Sequence, residues 1–222
     1  MLSHRSGAVT FFMPSLESRV LLVTDRHQTN GRSLLSILQQ VLTVGAPAIQ
    51  LRERDLSAKD LLALTRAVQT FTTQRGSQLL VNDRIDVALS LEGVGVHLRS
   101  NSLPAAVARR LLGPQRLLGV SAHSMDEAVR AEANGADYVV LGPVYETPSK
   151  QAFGPPLGLS KLEAVCQVVQ VPIIGIGGVT VDRARDVRRA GAFGVAVITA
   201  ILSAEDVEAA TRALLDAVAS VS

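Results

Sequence analysis

Eight short apolar runs, each followed by a longer amphipathic or polar stretch, recur from residue 20 to the C-terminal region, and this alternation constrains the fold more than any single motif. The apolar runs lie at 20–24, 48–51, 78–81, 94–98, 117–121, 138–141, 171–176 and 193–198. Helical patterns fill the intervals, among them 58–72, 125–134, 180–190 and 204–218, with Ser57, Ser124 and Ser203 placed as N-caps. Strands that are apolar on both faces and separated by helices build a parallel sheet covered by those helices. Gly45-Ala46, Gly135-Ala136 and Gly191-Ala192 set a helix-ending glycine just before three of the strands. Closing eight such units on themselves removes both sheet edges, so the pattern predicts a single parallel (β/α)8 TIM barrel over residues 19–222, behind a flexible N-terminal arm at 1–18. The competing architecture is an open doubly wound sheet. Its dinucleotide-binding form needs G-x-G-x-x-G after the first strand, where this chain reads Thr24-Asp25-Arg26-His27-Gln28.

Composition narrows the function. With 222 residues and 47% hydrophobic content the chain can bury one sizeable core. Its formal net charge is only +2, without a block of like charge, which argues against nucleic acid as a partner. Aromatic residues make up 3% and Trp is absent, so aliphatic side chains must fill the barrel and base-stacking platforms are lacking. No apolar run reaches membrane-spanning length, and the short N-terminal apolar patch is cut by Pro14; a cytoplasmic protein without membrane partners is expected. The lone Cys166 has no internal disulfide partner and reads as a small hydrophobe in a reducing compartment.

In such a barrel, chemistry sits just after each strand. The second strand runs into Gln50-Leu51-Arg52-Glu53-Arg54-Asp55. Arg52 and Arg54, two residues apart, share a face toward the mouth and can meet an anion, with Glu53 facing away. A solvated charge cluster is the bland alternative. The seventh strand ends in Gly175-Ile176-Gly177-Gly178 ahead of a helix, and the eighth in Ile198-Thr199-Ala200; unobstructed amides there suit a phosphate, though an ordinary tight turn looks similar. Lys150 lies in a loop after the sixth strand too long for a plain connection, consistent with closure over a ligand. His123 follows the fifth strand, where an imidazole can take and return a proton. His97 ends the fourth strand and reads as a buried, hydrogen-bonded histidine, while His4 and His27 have no supporting context.

The segments LLVTDR, QLRERD, LLVNDRIDVAL, GVHL, GVSAHS, GADYVVLGPVYETPSK, IIGIGGVT and GVAVITAI, in this order, resemble the thiamin phosphate synthase / TenI superfamily from about Val20 to the C-terminus. The resemblance implies thiamin biosynthesis and a phosphorylated thiazole as ligand, with homodimers by family analogy. Two reactions share the scaffold. The synthase joins hydroxymethylpyrimidine diphosphate to thiazole phosphate with Mg²⁺ and releases pyrophosphate; the TenI-type tautomerase isomerises a thiazole phosphate carboxylate without a cofactor. By motif position, the resemblance puts the thiazole phosphate against Gly177, Gly178, Ile198 and Thr199, with Thr147 and Ser149 on the loop. In a synthase, Gln50, Arg52, Arg54 (usually Lys in the family), Asn82, Ser121 and Lys150 bind the pyrimidine diphosphate, and Asp83 holds the metal with a second carboxylate.

That second carboxylate is replaced. Where the family pattern reads G-Q-E-D, this chain reads Arg99-Ser100-Asn101-Ser102, and a serine hydroxyl brings no charge to Mg²⁺. The substitution favours the tautomerase, with His123 as catalytic proton shuttle, over the synthase. Glu146, where synthases commonly show Pro, leans the same way. Asp83 is the counter-argument, its alternative role being a hydrogen bond to Arg84 or to the helix that begins there. Two other readings are a non-catalytic thiazole or thiamin phosphate sensor and another phosphate-binding barrel isomerase. His123 weighs against the sensor, and QLRERD, NDR and PSK weigh against the isomerase.

Overall fold

The computed structural model describes residues 14–147 and 155–221. In chain order it contains β1 (Val20–Val23), a 3-10 turn (Arg26–Gln28), α1 (Leu34–Val44), β2 (Ala48–Leu51), α2 (Ala58–Arg75), β3 (Leu79–Asn82), α3 (Ile85–Leu89), β4 (Gly95–Leu98) and α4 (Ala105–Leu112). There follow β5 (Leu118–Ala122), α5 (Met125–Ala133), β6 (Tyr138–Leu141), α6 (Gly158–Val168), β7 (Ile173–Ile176), α7 (Val181–Arg189), β8 (Gly194–Val197), α8 (Thr199–Leu202) and α9 (Val207–Ala219). Consecutive strands pair in parallel and β8 pairs back onto β1, Leu21 opposite Ala196, so the sheet closes into a single (β/α)8 barrel.

Alternate strand residues serve two cores. Leu21, Val23, Ala48, Leu80, Tyr138, Val140, Ile174 and Ala196 fill the barrel interior. Their neighbours, such as Leu22, Ile49, Val81, Leu98, Val139 and Val197, face outward onto helix residues including Ile37, Leu61 and Leu214. Burying both faces explains why each strand is continuously apolar. Residues 1–13 of the expected arm lie outside the described residues. Leu16, at 2% exposure, packs into the interior cluster, and the Gln78 side chain accepts from Glu17 N (2.9 Å) and donates to Ser15 O (2.8 Å). Leu16 thereby covers the N-terminal end of the barrel and leaves the other end as the mouth.

Two expectations change. The last helical stretch is divided: Ser203 ends α8 rather than starting a helix, and Asp206 caps α9 by accepting from Ala209 N. The seventh strand starts at Ile173, not 171, because Pro172 has no N–H for the ladder and contributes only its carbonyl, to Val139 N. Among the described residues no helix is long and apolar enough to cross a membrane. Cys166 is half-buried on α6, and burial pushes its thiol up to about 11, which keeps it protonated at neutral pH.

Candidate active site

The parity that puts Ala48, Leu80 and Val140 inside the barrel also brings Gln50 and Asn82 to its interior at the C-terminal strand ends. Both are buried, and Gln50 Nε2 donates to Asn82 Oδ1 at 3.1 Å. Next to them His97 of β4 meets Tyr138 Oη through Nδ1 (3.0 Å) and Ser121 Oγ through Nε2 (2.9 Å). The phenol reaches this far because residue 119 is glycine; a Cβ there would lie 2.1 Å from Tyr138 Cζ. Burial lowers the His97 pKa to about 4 and raises that of Tyr138, so the imidazole is neutral and the phenol protonated. His97 is therefore the structural histidine that its position suggested, and Ser121 is tied to it.

Above this layer lie the charged groups of the mouth, arginines and carboxylates both. Arg52 is partly buried and Arg54 exposed, and among the described residues neither guanidinium has a hydrogen bond or ion pair. Burial first, and then the charges of Arg54 and Arg99, lower the Arg52 pKa. Asp83, in the left-handed region at φ 60°, turns the chain out of β3. Its Oδ1 accepts from Arg99 N (3.1 Å) and Ser102 Oγ; its Oδ2 accepts from Asn82 Nδ2 (3.1 Å) and Arg99 Nε. Burial raises the Asp83 pKa, but these bonds outweigh it and hold the carboxyl below its ordinary value. The expected pairing of Asp83 with Arg84 is not formed: Arg84 pairs with Asp86 instead, at 2.5 Å.

Sequence reasoning gave no role to Glu53 or His27. Glu53 is buried and accepts from Thr24 Oγ1 (2.6 Å) and from Arg26 N and Nη1 (both 3.2 Å), fastening the β1 exit to the β2 exit. Arg26 also grips Asp55 through two bonds of 2.6 and 2.5 Å, and His27 Nε2 lies 3.1 Å from Asp55 Oδ2. Asp25, His27, Arg52, Glu53, Arg54 and Asp55 line a cavity of about 360 Å³. The contact between the two strand exits, 27 to 29 residues apart in sequence, gave no local signal.

The other half of the mouth comes from β6, β7 and β8. Gly177 and Gly178 adopt φ 99° and 64°, and a Cβ on Gly178 would meet Glu146 O at 2.5 Å. Val144 N and Tyr145 N donate to Ile176 O (2.8 Å) and Gly177 O (3.1 Å), so the start of the β6 loop is zipped onto this turn. Arg183 of α7 donates to Gly178 O (2.7 Å) and lies 4.6 Å from the centre of the Tyr145 ring. Ile198 and Thr199 follow β8, and Thr147 leads out of the zipped segment. Ser149 and Lys150 lie outside the described residues. His123 is exposed after β5; its Nδ1 donates to Gly142 O at 2.5 Å and its N–H to Glu127 Oε2 at 2.7 Å.

Mg²⁺, implied by resemblance for a synthase, does not fit these residues. An ionised carboxylate has about four lone-pair positions, and protein donors take four at Asp83.

The fold and site define a (β/α)8 barrel whose open end carries, on one side, the guanidinium groups of Arg52 and Arg54, without a partner among the described residues, and a glycine turn on the other. A family model described as thiamine monophosphate synthase matches residues 20–201, and the chain belongs to that family. It is 47% identical over 206 residues to the thiamine-phosphate synthase of Roseiflexus castenholzii, covering 93% of this chain and 90% of that one. It is 46% identical to the thiamine-phosphate synthase of Moorella thermoacetica, covering 93% and 97%. The solved thiamine phosphate pyrophosphorylase from Pyrococcus furiosus superposes with a TM-score of 0.83 at 32% identity, over 91% of this chain and 96% of that one. These relatives correct the preference drawn from Ser102: they are named as synthases, which are transferases, and the tautomerase assignment falls.

Proposed function

We propose that this protein is a thiamin-phosphate synthase. It joins the methylene carbon of hydroxymethylpyrimidine diphosphate to the ring nitrogen of thiazole phosphate. The carbon–oxygen bond to the diphosphate breaks, its electron pair leaves with pyrophosphate, and the nitrogen lone pair forms the new carbon–nitrogen bond. No proton has to be shuttled in this exchange. What the protein must do is hold two anionic substrates close together and neutralise the charge that grows on the departing pyrophosphate.

The observation that carries this reading is Arg52, a partly buried guanidinium with no hydrogen bond or ion pair among the described residues, beside Arg54 and Arg99. A cation removed from water without a partner is a site built for an anion. Arg52 and Arg54 take the diphosphate, while Gln50, Asn82 and Ser121 present polar groups to the pyrimidine end. Gly177, Gly178, Ile198 and Thr199 receive the thiazole phosphate at the opposite side, joined by Thr147; Ser149 and Lys150, outside the described residues, are assigned to substrate binding by motif position alone. His123 ties the β5 exit to the β6 exit and acts by position rather than by proton transfer.

Purified protein given both substrates should release thiamin phosphate and pyrophosphate in equal amounts. Absence of both products, with and without divalent metal, would overturn the reading. Tight binding of thiazole phosphate without turnover would instead indicate a sensor.

A further inference from the structure

A diphosphate needs counter-charge, and the residues of this mouth supply it as protein. Arg99 follows β4 and is anchored at both ends of its side chain's reach: backbone N–H and Nε both donate to Asp83. Ser102 Oγ and Asn82 Nδ2 complete the hydrogen bonding of that carboxylate. Its acceptor positions are thus filled, and a divalent ion could reach Asp83 only by displacing the Arg99 guanidinium. The ion would then lie beside Arg99 with a single protein carboxylate, besides the oxygens of the diphosphate, to hold it. A hard cation such as Mg²⁺, which gives up water reluctantly, has little to gain there.

The guanidinium itself is in a position to do the neutralising. Asp83 holds it through Nε, while Nη1 and Nη2 make no hydrogen bond to any described residue, and the side chain is 40% exposed. Arg52, whose guanidinium has no partner among the described residues, is near enough to feel its charge. A planar fork with its terminal donors unused matches two phosphate oxygens, and its charge is independent of the metal concentration in solution.

We propose that Arg99, fixed by Asp83 and Ser102, takes the place of a divalent cation in this protein, so that it binds a diphosphate without metal. The inference deepens the synthase reading and rests on it only for what the diphosphate is attached to. Ser102 belongs to the same device: its hydroxyl donates to Asp83, where a carboxylate would repel it.

The test is a calorimetric titration of inorganic pyrophosphate into the full-length protein, in EDTA and in excess Mg²⁺. The wild type should bind in EDTA, and Mg²⁺ should not tighten the binding. R99Q keeps a hydrogen-bonding side chain beside Asp83 but removes the charge; it should weaken pyrophosphate binding in EDTA by about tenfold or more, as expected for a lost charge-assisted hydrogen bond. The double variant R99G/S102D, which exchanges the guanidinium for a second carboxylate, should bind pyrophosphate only when Mg²⁺ is present. Melting curves establish that both variants are folded. A wild type that binds pyrophosphate only with Mg²⁺, or a folded R99Q with unchanged affinity in EDTA, would overturn the inference. A turnover assay separates it from the synthase reading. Thiamin phosphate formed only with Mg²⁺ keeps that reading and sinks this one, whereas Arg99-dependent, metal-free pyrophosphate binding without thiamin phosphate does the reverse.

Discussion

Three kinds of residue set the properties of the mouth, and each carries a distinct expectation. Arg52 and Gly178 belong to opposite halves, so their variants should act reciprocally. Arg52→Gln should raise the KM for the pyrimidine diphosphate by roughly 10- to 100-fold, the range of a lost charge-assisted hydrogen bond, and leave that for thiazole phosphate near its starting value. Gly178→Ala should act on thiazole phosphate instead, and cost about 1–2 kcal/mol of stability or more, because φ 64° disfavours a side chain and the new Cβ would strike Glu146 O. Steady-state kinetics with each substrate varied in turn checks both. His123→Ala should reduce turnover by less than about tenfold; a loss of 10² to 10⁴ is the range for a missing general acid or base and would contradict the positioning role. His97 gives a pH dependence. Its folded pKa of about 4 lies below the ordinary 6.5, so the unfolded chain binds this proton first as pH falls. Stability should be complete above about pH 6.5 and decline by roughly 3 kcal/mol toward pH 4. Chemical denaturation across this window should show the decline, and it should flatten in His97→Gln.

At the scale of elements, the strands that bear the site depend on arginines at the opposite end of the barrel. Arg109 of α4 donates to Gly135 O, Gly113 O and Arg116 O at 2.8–3.0 Å and pairs with Asp137 at 2.6 Å, while Asp137 accepts from Leu118 N at the start of β5. Burial raises the Asp137 pKa despite Arg109, so removing the arginine leaves a carboxylate already disfavoured where it lies. Arg109→Met should cost about 3–5 kcal/mol, read as a melting temperature roughly 6–20 °C lower, without changing either KM. These elements differ in how much the sequence discloses. The strands are legible because both faces are buried, and β2 and β6 match their expected bounds residue for residue. The break between α8 and α9 was hidden, since the apolar period runs through Ala204 and only Asp206, caught in the act of capping, marks the restart.

For the molecule as a whole, the barrel and the position of its mouth follow from pattern, whereas the chemistry at the mouth depends on contacts across the sequence. The glycine turn after β7 and the spacing of Arg52 and Arg54 are local, and they were readable. The loss of a carboxylate at Ser102 was equally readable but misleading: it pointed away from diphosphate chemistry because the compensating group, Arg99, becomes intelligible only once it is seen against Asp83, 16 residues earlier. Glu53 and the bond between His27 and Asp55 were missed for the same reason. The central claim is that one barrel mouth binds a diphosphate at its β2–β4 side and a phosphate at its β7–β8 side. A crystal structure of the protein with thiamin phosphate and pyrophosphate tests it most directly. Pyrophosphate is expected against Arg52 and Arg99, with the product's phosphate against Gly177, Gly178 and Thr199. Pyrophosphate bound away from Arg52, or a phosphate that leaves the glycine turn empty, would contradict it.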